Sequence, residues 1–211
     1  MPEYLTNQLH FLTNSETILR YLGSKKGGDQ TPEQFSLNSI RLMPESMNLP
    51  LNEQIKELSL MNIQLPVLDK NIEKVALPNL YFGQKSKRPE SKIRERIEEI
   101  RISYRKSSAE RVEIDFFEQA VSNYEAFKYF TNYDWRLMNW GTVEDIHSIT
   151  KTTFDLPTKY IEFKTAWTPP ISVLQILSNT FPSVKFKLKY RYSDNSEWAK
   201  VTFFPFPPFS Y

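Results

Sequence analysis

The sequence predicts an α+β fold: a ferredoxin-like split βαβ antiparallel sheet with helices on one face and a large, mainly helical insertion. Three observations predict it. Short alternating segments lie at the two ends of the chain, from Tyr4 and from Tyr160 onward. Each end places one helix between its strands. The middle of the chain instead carries apolar residues at helical spacing. The order is therefore β-α-β, an insertion, then β-α-β with an added β. Residues 1–48 and 133–211 are expected to build one α/β sandwich, and 49–132 the insertion.

The elements follow in order. From Tyr4 to Thr13, Leu5, Leu9 and Phe11 point one way, while Thr6, Gln8 and His10 point the other. Asn14 or Ser15 then caps a helix with the stripe Ile18, Leu19 and Leu22, stopped at Gly23. Lys25-Lys26-Gly27-Gly28-Asp29 reads as a solvated loop. Phe35, Leu37, Ile40 and Leu42 suggest a second strand, ending at Met43-Pro44-Glu45. Leu51, Ile55, Leu58 and Met61 mark a helix that Pro66 breaks, and the stretch to Pro89 has no clean period.

Two charged helices come next. Ile93, Ile97, Ile100 and Tyr104 form a narrow apolar stripe. Ser107-Ser108-Ala109-Glu110 has capping-box spacing, and opens a helix to about Thr131 with Val112, Phe116, Ala120, Tyr124 and Phe127 on one face. The first of these helices is mostly basic and the second mostly acidic. That bias fits helices that attract, or a solvated surface with local pairs.

The chain then returns to β. Ile161 and Phe163 point inward from a strand over 160–165. Thr168-Pro169-Pro170 reads as a helix entry, with Thr168 as cap and proline in the first turn. Ile171, Leu174, Ile176 and Leu177 fill that helix to Pro182. Val184 to Tyr192 alternates, and Trp198 to Phe204 pairs back after the turn 193–196. The prolines of 205–208 keep the tail out of a central strand.

Composition narrows the function. The chain has 211 residues, 40% hydrophobic, with net charge +2, which suits one cored domain and excludes a surface that is basic all over. It has no cysteine, which excludes disulfides, thiolate metal sites and cysteine nucleophiles. Neither an apolar leader nor a membrane-length apolar run is visible, so a cytoplasmic location without membrane contact is expected. His10 and His147 lack a second ligand at metal spacing, and no phosphate loop, dinucleotide fingerprint or hydrolase elbow is present. Neither a metal nor a cofactor is expected, and the balance leans away from an enzyme.

Four segments carry a resemblance. Asn7-Gln8-Leu9 lies in the first strand and Met43-Pro44-Glu45 follows the expected second. Asn139-Trp140-Gly141-Thr142 follows the insertion, and Ala166-Trp167-Thr168-Pro169-Pro170 with Phe181-Pro182 brackets the second helix. In this order the chain resembles the YubB-like ferredoxin-like family of proteins carried by plasmids and phages. The resemblance covers residues 1–48 and 133–203 and implies the fold, but brings no established activity. Val143 and Glu144 depart from the family's Lys-Trp, while Asp145 is kept.

Two constellations stand out. Asn139, Trp140, Thr142, Asp145 and Trp167, with Trp135 nearby in sequence, could line a small pocket of rings and oriented polar groups. Core packing is the competing and more frequent role for such residues. Lys185, Lys187, Lys189 and Arg191 form a basic row on one strand face, suited either to a phosphate backbone or to protecting a sheet edge. On that strand the aromatics alternate to the opposite side. The first expectation is thus a non-enzymatic accessory protein of a mobile element that binds a host protein. The second is single-stranded nucleic-acid binding through 185–191, and the third a small-molecule- or nucleotide-processing enzyme at Asn139–Asp145.

Overall fold

A computed structural model describes residues 3–13, 16–23, 35–62, 90–107, 109–153, 159–192 and 197–205. The caps expected at Asn14 and Ser15, the loop 24–34, the stretch from Pro66 to Pro89, the turn 193–196 and the end of the tail lie outside the described residues. The chain forms two compact units, Met1–Leu42 with Asn139–Tyr211, and Met43–Met138.

The first unit is the ferredoxin-like one. Its strands are β1 (Tyr4–Phe11), β2 (Ser148–Thr153), β3 (Lys159–Ala166), β4 (Phe186–Arg191) and β5 (Ala199–Phe203), in spatial order β2-β3-β1-β4-β5. Every pairing is antiparallel. Helix α1 (Glu16–Gly23) follows β1, a short α2 spans Leu37–Ile40, and α7 (Ile171–Thr180) joins β3 to β4. Alternation sends Leu5, Leu9, Phe11, Ile161, Phe163, Phe186, Leu188, Val201 and Phe203 to one fully buried face. Ile18 and Leu22 of α1, with Leu174 and Leu177 of α7, are buried too. Phe35 meets Phe163 edge-on at 5.4 Å, so that face is the core.

The second strand is not where the sequence placed it. Residues 37–40 form a helical turn, and β2 comes after the insertion. The cause is a remote carboxylate: Asp145 accepts from the Leu37 amide at 2.6 Å and the Ser36 hydroxyl at 2.5 Å. Those bonds cap a turn, which Ser39 tightens by donating to Ser36 O at 2.6 Å. The edge of β3 is filled instead by Ser-Ile-Thr-Lys-Thr-Thr, β-branched but with little apolar alternation. The helical segment therefore interrupts the first βαβ before its second strand, not after it.

The second unit holds α3 (Glu53–Asn62), α4 (Glu90–Lys106), α5 (Arg111–Phe127) and most of α6 (Asn132–Asn139). Its core joins Ile55 and Leu58 to Ile93, Ile97 and Ile100, and to Phe117, Ala120, Val121, Tyr124 and Phe130. The buried face of α5 is turned from the expected one: Phe117 and Val121 are inside, while Val112 and Phe127 are exposed. The capping box does not form. Ser107 accepts from the Ala109 amide at 3.3 Å and donates to Tyr104 O at 3.3 Å, closing α4 instead. Lys128 ends α5 in the left-handed region at φ 66°, earlier than expected. Asp134 then accepts from the Phe130 and Thr131 amides, both at 2.8 Å, and opens α6.

Candidate functional site

The conspicuous tryptophan region is a clasp. Trp140 is buried, and its indole donates to Arg41 O at 2.9 Å. Thr142 is buried and donates to Ala166 O at 2.9 Å. Asp145 holds α2 as described. Gly141 adopts φ 85°, and a Cβ there would lie 3.1 Å from the Ile171 amide nitrogen and 3.2 Å from Pro169 O. Glycine is thus required by both its backbone angle and the approach of α7. Asn139 is half-buried, and Trp135 falls in the other unit. The structure brings Trp140, Thr142 and Asp145 into bonds within the fold, and leaves Trp167 as the exposed member, at 46%.

The entry to α7 also differs from the expected cap. Thr168 donates its hydroxyl to Gly141 O at 2.6 Å, and no side-chain bond caps the helix. Two three-residue turns replace it. The Thr168 amide donates to Ala166 O at 2.7 Å around Trp167, whose φ is 62°. The Ile171 amide donates to Pro169 O at 2.8 Å around Pro170 at φ −82° and ψ 54°. The first is the strained γ-turn and the second its relaxed inverse. A buried chain steadies them: Asn7 Nδ2 donates to Thr165 Oγ1 at 2.9 Å, which donates to Thr168 O at 2.9 Å.

The second constellation has a different setting. Strand β4 lies between β1 and β5, so its basic row is inside the sheet and not at an edge. Lys187, Lys189 and Arg191 alternate with the buried Phe186 and Leu188, and Lys185 precedes them on the same side. The sheet register shows what surrounds them. Thr6 faces Lys164 on one side and Arg191 on the other; Gln8 faces Glu162 and Lys189; His10 faces Tyr160 and Lys187. Lys189 and Lys187 in turn face Lys200 and Thr202 of β5. Directly opposed residues share a face. The outer face of the sheet is thus a lattice of cations with rings among them.

Its rings and polar groups are fixed. His10 and Tyr160 lie 5.1 Å apart, and Lys151 sits over Tyr160 at 6.0 Å. Arg191 covers Trp198 at 4.8 Å. Gln8 donates from Nε2 to Glu162 at 2.7 Å, and Thr150 donates to the other carboxylate oxygen at 2.8 Å. Gln8 Oε1 lies 3.2 Å from His10 Nε2. A carboxylate only accepts, so Gln8 presents its amide nitrogen to Glu162 and its oxygen to the ring; His10 therefore donates from Nε2. Burial, then Lys189 and Lys187, lowers the His10 pKa to about 4, so the ring is neutral near pH 7. Among the described residues no salt bridge reaches Lys187, Lys189 or Lys200.

Sequence reasoning found the basic row but missed Gln8, His10, Tyr160, Glu162, Trp198 and Lys200. The outward direction of Gln8 and His10 was visible in the alternation. Their neighbours were not, because cross-strand register depends on turns and core packing far away in sequence.

Comparison with known proteins reaches the sheet unit. Residues 146–199 match the model of a family described as the ferredoxin-like domain in Api92-like protein. That span holds β2, β3, α7, β4 and the start of β5. No curated protein matches. The crystal structure of a protein api92 from Yersinia pseudotuberculosis is similar at 13% identity and TM-score 0.39, over 96% of this chain and 94% of that one. The match names this domain and not the YubB-like family of the sequence reading. Among the described residues, no helix is long and apolar enough to cross a membrane. Over residues 146–199, the chain is similar to the ferredoxin-like domain of Api92-like proteins.

Proposed function

We propose that the chain binds single-stranded nucleic acid across the outer face of its sheet. One observation carries this reading: Lys187, Lys189 and Arg191 lie inside the sheet, beside Lys200 and next to the His10–Tyr160 ring pair. Lysines directly opposed across a strand pair repel and cost stability. A phosphate backbone removes that cost while releasing its own counterions. The half-buried Tyr160 ring beside the cations gives bases a surface to stack on without reading their sequence. The earlier objection, that the aromatics of β4 face inward, holds for β4 alone. Tyr160 and Trp198 come to the outer face from β3 and from just before β5.

The reading is preferred to capture of a host protein because of the helical unit. There Arg96 and Arg101, both half-buried, are bonded to carboxylates of neighbouring helices. A plasmid or phage origin, implied by the YubB-like resemblance, is compatible with this face but is not needed for it.

The test is fluorescence anisotropy of a labelled 15-nucleotide oligo(dT), titrated with full-length protein between 50 and 300 mM salt. Three or four phosphates neutralised predict a slope of log K against log salt of about −2 to −3. A duplex of the same length should bind more weakly, since its bases cannot reach the rings. A flat salt response would remove the proposal.

A further inference from the structure

Glu162 is the one acidic residue in the five strands, and it sits in the middle of the cationic face. Lys151 stands opposite it across β2 and β3, yet a carboxylate there also weakens the attraction for phosphate. Its geometry is constrained. Gln8 holds one oxygen at 2.7 Å and Thr150 holds the other at 2.8 Å. The register shift between Ile149 and Lys151 is what brings Thr150 over Glu162. Each bond uses one acceptor position per oxygen, and a carboxylate has about four. One acceptor position on each oxygen therefore stays unused on a half-buried, pre-oriented group. It lies one row along β3 from Tyr160, and Gln8 of β1 stands between it and Lys189.

We propose that Glu162 is the base-reading group of this face and selects guanine, a step that rests on the single-strand reading above. The cationic strip on β4 and β5 carries the phosphates, and β1 with β3 receives the bases. Guanine is the base whose pairing edge presents two adjacent N–H donors, N1–H and the N2 amino group. Uracil and thymine present one, and the cytosine and adenine amino groups place one donor within reach. A fixed carboxylate rewards the paired donors, and a well-formed two-bond contact discriminates bases strongly. Gln8 and Thr150 act as positioning residues, since they touch Glu162 and not the base.

Anisotropy titrations with three labelled 15-mers test it: oligo(dT), the same strand with one central guanine, and the same strand with one central inosine, which lacks the N2 amino group. The guanine strand should bind about five- to tenfold more tightly than oligo(dT), and inosine should lose most of that gain. Glu162→Gln should reduce the guanine advantage to within about twofold and tighten oligo(dT) binding, since a negative charge is removed. Thr150→Ala, which leaves the sheet intact and frees the carboxylate, should reduce the advantage partly. Equal binding of all three strands with a normal salt slope would overturn the role of Glu162 and leave the single-strand reading standing. A guanine preference that survives Glu162→Gln would do the same. Failure of every strand to bind would overturn both.

Discussion

In the helical unit, Arg101 reaches Glu118 with two nitrogens, at 2.9 and 2.7 Å, and Glu98 at 2.6 Å. Arg96 likewise holds Glu57 at 2.9 Å through two nitrogens, and Glu99 at 2.7 Å. In the sheet unit, Lys189 faces Lys200 across β4 and β5, with Lys187 and Arg191 on either side along the strand. Both regions are rich in charge and both are partly exposed. In the helices the charges satisfy one another and tie α4 to α3 and α5. On the sheet, cations accumulate around a single carboxylate, Glu162. Counting charges by segment does not separate these cases; the partner of each charge does. Ion pairs between helices serve the fold, and under the proposed reading the cationic rows of the sheet serve an anion.

The largest effect should come from reversing the lattice. Lys187→Glu with Lys189→Glu should weaken oligo(dT) binding by about a hundredfold at low salt and flatten the salt slope. The same change should leave thermal stability equal or higher, because Lys189 opposite Lys200 becomes an attractive pair. Wild-type affinity in this variant, measured by anisotropy, would show that the lattice is not the path of the ligand.

The second effect belongs to the helical unit. Asp134 is buried and accepts from the amides of Phe130 and Thr131, the Thr131 hydroxyl and, at 3.4 Å, Asn62. Asp134→Asn turns an amide nitrogen against one of those donors. Urea unfolding should show a loss of about 1–3 kcal/mol with oligonucleotide affinity unchanged. Burial raises the Asp134 pKa, against the pull of these bonds. The folded chain therefore holds this proton more tightly than the unfolded chain. This group's contribution falls as pH rises from the ordinary carboxylate range to its raised value, and the variant should lose that slope.

Arg101→Ala should cost less, about 1 kcal/mol or below, since the pair with Glu118 is screened by solvent. Arg101 holds the Glu118 carboxyl below its ordinary value of 4.5. Stability from this pair is present above that value and declines as pH falls below it. Acid titration of the variant should be flatter there, again without change in binding.

Much of the fold was legible in the sequence for physical reasons. Period-two alternation marked β1, β3 and β4 because each buries one face and exposes the other. The stripe Ile93, Ile97, Ile100 marked α4 for the equivalent reason. Strand β2 escaped because it is a short edge, whose position depends on pairing with β3 more than on its own pattern. The supposed strand at 35–42 failed because Asp145, 108 residues from Leu37, supplies the cap. The expected caps misled for a related reason: Ser107 and Thr168 carry suitable hydroxyls, but nearer or better-placed carbonyls take them. The site divided the same way. A row of cations at every second position shows in one strand. A ring, an amide and a carboxylate brought beside it from other strands do not.

The smallest effect probes the lattice through its own proton. His10 faces Tyr160 and Lys187, lies diagonal to Lys189, and touches Glu162 through Gln8. Burial is the largest cause of its lowered pKa and the two lysines come next. The unfolded chain takes up this proton near 6.5, and the folded chain near 4. Between those values the unfolded state binds more protons, so the stability of the chain should decline as pH falls through that window and level off below it. A bound phosphate strand offsets the repulsion from Lys187 and Lys189, which should raise the pKa of the ring. Imidazole nitrogen shifts followed by NMR should therefore give a midpoint near 4 for the free protein and a higher one with oligo(dT). An unchanged midpoint in the complex would place the bound strand away from β1 and β4. That result would separate a general attraction to a basic protein from occupancy of this face.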